Sequence, residues 1–356
     1  MVVTAEFILI LITSYVGVSW GFGLEIGGFN FNLPLIGDGG NGSPSSYAPG
    51  PPGLQVGFYE GRCPDRTVDV EALVATTVQE QFRKDPTILP ALLRMQFHDC
   101  FVHVGIYGCD ASILIAGTSS EKNAGANLSV RGYEFIDAVK AALEAECPGI
   151  VSCADIIAVA TKVAIKLGGG PDYVVQTGRR DGLTSSMDDV DLPSPFIPVS
   201  QSISAFRAKN FNAEEMVVLL GCHTVGVAHC EFFQDRLYND NDQFDPNMDA
   251  NLRKHLMLAC PRGSSASNSV AFLDQNPPSS NKVDNSFFGQ IKRNRGILPI
   301  DQALARDPNT SATVKQLSLD ASIFNIKLAS AMIKLQALDV LTGTQGEIRK
   351  VCSKFN

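Results

Sequence analysis

Two histidines mark the places where this chain is best equipped for chemistry. In LLRMQFHDCF, residues 92–101, Arg94 and His98 stand four positions apart, so on a helix they project from one face with Phe97 beside them. Burying a guanidinium without a partner is costly, and an arginine in such a run marks a place that binds or develops negative charge. Its cation also keeps a neighbouring imidazole neutral, the form a proton acceptor needs. In VVLLGCHTVGVAHC, residues 217–230, His223 is likewise set among apolar residues and followed by an oxygen donor, Thr224. A lone histidine on an apolar face reads as packed core, but two of them suggest opposite walls of one cavity, with something flat and apolar between.

Asp99, Asp110 and Ser112 add hard oxygen donors around a loop whose ends Cys100 and Cys109 could hold together. With backbone carbonyls they suit calcium, which takes roughly six to eight oxygens. A competing set, His98, Cys100, His103 and Cys109, has zinc-binding chemistry. An oxidising compartment would pair those cysteines instead.

Side chains this far apart in sequence meet only if rigid elements position them. Apolar spacings of three and four predict helices over Val68–Lys84, Pro90–His103, Gly132–Ala145, Ala154–Leu167, Ala213–Leu220, Val225–Leu237 and Ser318–Leu338. Breakers separate them, among them Asp85-Pro86, Cys147-Pro148-Gly149 and Cys260-Pro261. Long alternating strand runs are missing, so the class is mainly α.

At 356 residues and 45% hydrophobic, the chain can bury one large core or two ordinary ones. Nine cysteines in no repeating CxxC pattern read as disulfides of an exported protein, with one left over. A net charge of −8 without a basic block excludes a nucleic-acid partner. FILILITSYVGV, residues 7–18, is too short to span a bilayer and sits where a secretory core would be, although Glu6 precedes it and no Lys or Arg occurs before Arg62. We assign 1–21 as a signal peptide, 22–53 as a Gly/Pro/Ser-rich flexible extension that acts as a spacer or touches the cell wall, and 54–356 as the folded domain.

The chain from about Leu54 to Cys352 resembles the secreted plant haem peroxidases of class III. LLRMQFHDCF, GCDAS, SEKNAGANLSVRGYEFID, CPGIVSCADIIAVA, TGRRDG, LLGCHTVGVAHC, GILPIDQALARD and VLTGTQGEIRKVC are similar to that family's motifs, in its order. The resemblance implies two helical subdomains enclosing one haem b, with little β structure. It implies His223 as the axial iron ligand and His98 as general base and acid on the peroxide side, with Arg94 stabilising charge during O–O cleavage and Phe97 shielding the iron. Asn127 would fix the tautomer of His98, Glu121 would link this network towards a distal calcium, and Asp301 would accept the second N–H of His223. Pro193 in LPSP takes the place where small phenolic donors approach the haem edge.

Two calcium ions are implied: a distal one at Asp99, Val102, Asp110 and Ser112 with a carbonyl of Gly105 or Gly108, and a proximal one at Thr224, Asp274 and Asp284. So are the disulfides Cys63 with Cys147, Cys100 with Cys109, Cys153 with Cys352 and Cys230 with Cys260, leaving Cys222 free. The implied protein is a monomer in the cell wall, apoplast or vacuole that consumes hydrogen peroxide. A non-catalytic wall protein acting through its extension is the alternative.

The chain also departs from the family. FVHVGIYGCD is four residues longer than the usual FVxGCD loop, and in LDQNPPSSNKVDN Pro277 replaces a common threonine for which Ser279 or Ser280 might substitute. Tyr173 stands where tryptophan is common, and the only tryptophan, Trp20, lies in the leader, which favours small diffusible donors. Sequons occur at Asn41, Asn127 and Asn309, of which Asn127 is too constrained to carry a glycan if it faces His98.

Overall fold

The computed structural model describes residues 51–102, 105, 107–238, 244–262 and 269–356. The segment assigned above as a signal peptide, all but the last three residues of the assigned extension, and His103 lie outside them. Among the described residues no helix is long and apolar enough to cross a membrane.

The first layer is built by α1 (Val70–Lys84), α2 (Ile88–Cys100), α3 (Tyr133–Glu146) and α4 (Cys153–Leu167). Asp69 starts α1 by accepting the Ala72 N–H at 2.9 Å, and the Asp85-Pro86 pair stops it. Ser152 caps α4 in the same way, accepting from Asp155 N. From Cys153 to Ile165 only Lys162 of α4 escapes burial, because α1, α2 and α3 all pack on it. Truncating this layer, for example Ile157→Ala, should cost about 2–5 kcal/mol. In this way α4 fixes one side of α2 and leaves its Arg94/His98 face turned away from the core.

The second group comprises α5 (Val199–Ala208), α6 (Ala213–Leu220), α7 (Gln234–Leu237), α8 (Ala250–Ala259), α9 (Ser286–Lys292), α10 (Pro299–Leu304), α11 (Ser311–Leu319) and α12 (Ala321–Leu335). Asn212 and Glu215 form a capping box that starts α6. α6 ends at Gly221, where a Cβ would stand 2.6 Å from Phe288 and 2.8 Å from Phe324, so only glycine lets the chain turn there towards His223. Phe287, Phe288 and Phe324 stack edge to face beneath that turn.

Three predicted helices are corrected. Residues 225–237 are not one helix: β1 (Val227–His229) pairs antiparallel with β2 (Val270–Phe272), a 3₁₀ turn follows at Cys230–Phe232, and only α7 is helical. Gly226 at φ +95° breaks the helix, and buried Val225, Ala228, Cys230, Phe233 and Leu237 imitate a helical spacing while the backbone is largely extended or turning. Ser318–Leu338 is split at Asp320, whose carboxylate accepts from Ser322 N and Ile323 N and starts α12 afresh. α2 ends at Cys100, three residues early, where the chain enters the loop closed by Cys109.

The cysteines pair as Cys63–Cys147, Cys100–Cys109, Cys153–Cys352 and Cys230–Cys260, and Cys222 is free. These are the pairs the resemblance implies. Two three-residue strands are the only sheet among the described residues, in keeping with a mainly α fold.

Candidate active site

One face of α2 presents Arg94 and His98 together. Arg94 Nε donates to His98 Nε2 at 3.2 Å, while its other nitrogens donate to Ser129 Oγ at 2.8 Å and the Ala126 carbonyl at 3.0 Å. Since arginine only donates, Nε2 must be the lone-pair nitrogen of a neutral ring. The ring proton then sits on Nδ1, which donates to Asn127 Oδ1 at 2.6 Å. Asn127 Nδ2 donates to the Glu121 carbonyl at 2.8 Å, and this fixes which end of the amide faces the histidine. Burial, then the Arg94 charge, lower the His98 pKa to about 3 against a smaller upward pull from Asn127. Phe97 lies beside them, stacked on Phe101 at 4.8 Å between ring centres.

His223 sits in the 3₁₀ turn Gly221–Thr224 that follows α6. Its Nδ1 is 2.8 Å from Oδ1 of Asp301 on α10, and Nε2 makes no hydrogen bond among the described residues. Burial disfavours protonation of His223, but the charge and hydrogen bond of Asp301 outweigh it and raise its pKa; the Arg94 charge opposes them across the intervening space. Asp301 is fully buried and its Oδ2 has no partner. The LPSP segment carrying half-buried Pro193 docks on the same helix through the Ile300 N–H to Pro195 carbonyl bond of 3.1 Å.

Both histidines are only half-buried, whereas the residues behind them, Asn127, Asp99, Thr224 and Asp301, are 0–1% exposed. Each ring is thus anchored through Nδ1, with Phe97 set edge-on to His98 at 6.2 Å between ring centres and Phe287 edge-on to His223 at 6.0 Å. A free imidazole nitrogen backed by a buried carboxylate, within reach of the Arg94 charge, is a donor set that fits haem.

The distal acid loop packs directly behind His98. Asp99 accepts from Ala111 N at 3.1 Å and Asp110 from Ser112 N at 3.0 Å. Burial first, and for Asp99 the neighbouring Asp110 charge next, push both carboxyls up, with Arg349 the one cation pulling down. Burial raises Glu121 to about 9, and the Asp99 charge adds to this; Ser112 lies near enough to pull it down, yet Ser112 Oγ and Glu121 Oε2 form no hydrogen bond. Such a site is short of positive charge, which a bound cation would supply. Val102 is buried, as is Gly108, whose position would drive a Cβ to 2.5 Å from the Cys100 carbonyl; Gly105 is exposed.

At the other position, Thr224 Oγ1 lies 3.4 Å from Asp284 Oδ1, and buried Asp274 accepts from Ser279 Oγ at 2.9 Å. Burial raises the Asp274 pKa, and Ser280 turns instead to the Pro277 carbonyl. Among the described residues no three His, Cys, Asp or Glu groups converge as a metal set. The zinc alternative fails on its own ligands, because Cys100 and Cys109 are joined to each other.

Ser129 and the Ala126 carbonyl, which hold Arg94, lie inside motifs quoted above without being singled out by them, as does Arg349, fully buried and donating to the carbonyls of Ala111 and Gly182 at 2.7 Å each. Cys222 is a thiol that burial pushes up to about 12, so it is not a nucleophile at neutral pH. Tyr173 is buried, its hydroxyl oxygen 3.4 Å from Gln336 Nε2. Asn309 is exposed.

Two imidazoles anchored in this way belong to a known class. The sequence profile described as Peroxidase matches residues 74–320, and the chain belongs to that family, in the class III plant branch that its motifs resemble. It is 49% identical over 313 residues to Peroxidase 28 of Arabidopsis thaliana, covering 85% of this chain and 93% of the relative. It is 48% identical over 307 residues to Peroxidase 44 of the same plant and 40% identical over 311 to Peroxidase N1 of Nicotiana tabacum, which cover 85% of this chain and 93% and 91% of those proteins. The chain is a haem peroxidase.

Proposed function

We propose that the protein reduces hydrogen peroxide to water at His98 and oxidises small phenolic donors one electron at a time. The observation that carries this reading is the double anchoring of His98, between Arg94 Nε and Asn127 Oδ1, together with a His223 that is anchored on Asp301 through Nδ1 and lies within reach of the Arg94 charge. Haem, held through His223, supplies the iron that takes up the oxidising equivalents of peroxide. His98 Nε2 accepts the proton of the incoming peroxide and hands it to the departing oxygen, so that water leaves. Arg94 stabilises the negative charge that grows on that oxygen, its guanidinium already held by Ser129 and Ala126. Asp301 keeps the proton on Nδ1 of His223 and makes that ring a stronger electron donor. Phe97 keeps larger molecules from the reacting atoms, and donors approach at Pro193.

Calcium would occupy the distal acid loop through Asp99, Asp110, Ser112 and the carbonyls of Val102 and Gly108. A second ion would occupy the position of Thr224, Asp274 and Asp284, with Ser279 held on Asp274. The cysteine pairing supports export to an oxidising compartment, whether wall or vacuole, after loss of residues 1–21, with 22–53 as a spacer ahead of the haem domain 54–356. The test is peroxide-dependent oxidation of a simple phenol by the haem-loaded protein: it should disappear in His98→Ala while haem stays bound, and activity that persists in that variant would refute the assignment.

A further inference from the structure

The lengthened loop after α2 borders a cavity that the peroxidase reaction does not use. It has a volume of about 310 Å³, and among its lining residues are Tyr107, Asp110, Ser112, Glu121, Asp189 and Gln345. Its inner wall holds two of the oxygen donors assigned to the distal calcium, Asp110 and Ser112. Two polar atoms in that wall, Ser112 Oγ and Glu121 Oε2, belong to residues only 2% and 1% exposed and make no hydrogen bond. At the outer side stands Tyr107, 51% exposed, supplied by the loop in which this chain departs from its family.

The rim is built unequally. Gln345 is a fixed post: its Oε1 accepts from Thr342 N at 3.2 Å, its own N–H donates to the Thr342 carbonyl at 3.1 Å, and its carbonyl accepts from Arg180 Nε. Tyr107 is tied to this post by one bond, Gln345 Nε2 to the tyrosine hydroxyl at 3.4 Å. Directly after Tyr107 the chain is anchored again, by Gly108 N to the Asp339 carbonyl at 3.2 Å and by the Cys100–Cys109 disulfide. A single long, exposed hydrogen bond thus holds the aromatic ring beside the cavity, while the Gln345 post is held by several.

We propose that this cavity is the vestibule through which the distal calcium ion enters and leaves, and that the Tyr107–Gln345 contact sets the rate of exchange. The inference rests on the calcium assignment above. An ion leaving Asp110 and Ser112 passes into the cavity they line, where Asp189 and Glu121 attract it in place of its protein ligands. The Tyr107 side chain offers such an ion no carboxylate or carbonyl, so its ring obstructs the path without contributing to the affinity at its end.

The test uses the full-length, haem-loaded, calcium-replete protein, mixed rapidly with an excess of a chromogenic calcium chelator. Tyr107→Phe and Gln345→Ala, which cut the same link from its two ends, should each quicken one calcium-release phase about fivefold, the effect of losing one net hydrogen bond from a barrier. The other phase serves as an internal control. Calcium uptake should quicken equally, so that affinity stays within about twofold, as a barrier effect requires. Unchanged release in both variants with normal calcium content overturns the vestibule alone. Faster release with unchanged uptake also overturns it, because Tyr107 would then help hold the ion. A wild-type protein that binds no calcium overturns the calcium assignment and this inference together.

Discussion

Replacing Asn127 by valine isolates the contribution of tautomer control at His98. The substitution removes the oxygen that accepts the Nδ1 proton at 2.6 Å and leaves that donor facing an apolar side chain in a buried position. An unpaired buried donor costs about 1–3 kcal/mol. The ring escapes the cost by moving its proton to Nε2 or by rotating, and either removes the lone pair that must receive the peroxide proton. At about 1.4 kcal/mol per factor of ten, the second-order rate constant with peroxide should fall roughly 5- to 150-fold. The assay is stopped-flow absorption at pH 7, normalised to haem content. A second readout separates orientation from basicity. With its pKa at about 3, His98 is already neutral at pH 7, and the Asn127 bond acts to raise that pKa, so the variant's acid limb should move down in pH. A rate within twofold of wild type, or a loss recovered by raising the pH, would refute this reasoning.

Arg94→Leu removes the second cause of the low His98 pKa, so besides slowing the peroxide step it should move the acid limb up in pH; a rate that falls with an unmoved limb contradicts the electrostatic account. The same depressed pKa has a stability consequence. An unfolded histidine, near 6.5, binds a proton that the folded one refuses, so stability present above that pH is lost as pH falls towards about 3, and thermal unfolding of His98→Leu should show a shallower decline over that window. Cys352→Ser opens a crosslink spanning 199 residues and should cost about 5 kcal/mol on chain-entropy arithmetic, read as a large fall in the denaturant midpoint; a shift of under about 1 kcal/mol would contradict it. Chelation of calcium should lower the unfolding temperature, because Asp99 and Asp110 then keep only Arg349 as counter-charge; identical melting curves would speak against the distal ion.

The parts of this protein legible in its sequence are those where chemistry and periodicity coincide. Arg94 and His98 share a helix turn, and α1, α3, α4 and α6 fall within two residues of their predicted bounds because capping residues and breakers flank a regular apolar stripe. Residues 225–237 were illegible for the converse reason: their apolar positions repeat every two to four residues, but Gly226 and the pairing with Val270–Phe272 impose an extended chain that only the tertiary fold reveals. Short helices such as α9 and α10 hold too few turns to show a stripe, although α10 carries Asp301. The supports of the site were hidden as well. Ser129 holds Arg94 from 35 residues away, and Arg349 reaches the distal loop across 238, with nothing in either local sequence to announce the contact.

The most direct test is the visible absorption of the purified, haemin-supplied protein before and after one equivalent of hydrogen peroxide, compared with His223→Ala. We expect an intense Soret band that changes within milliseconds of peroxide addition and returns when a phenol is supplied, and no such stable, reactive band in the variant. A wild-type protein that takes up no haemin, or binds it equally well and reacts equally fast without His223, would contradict the account.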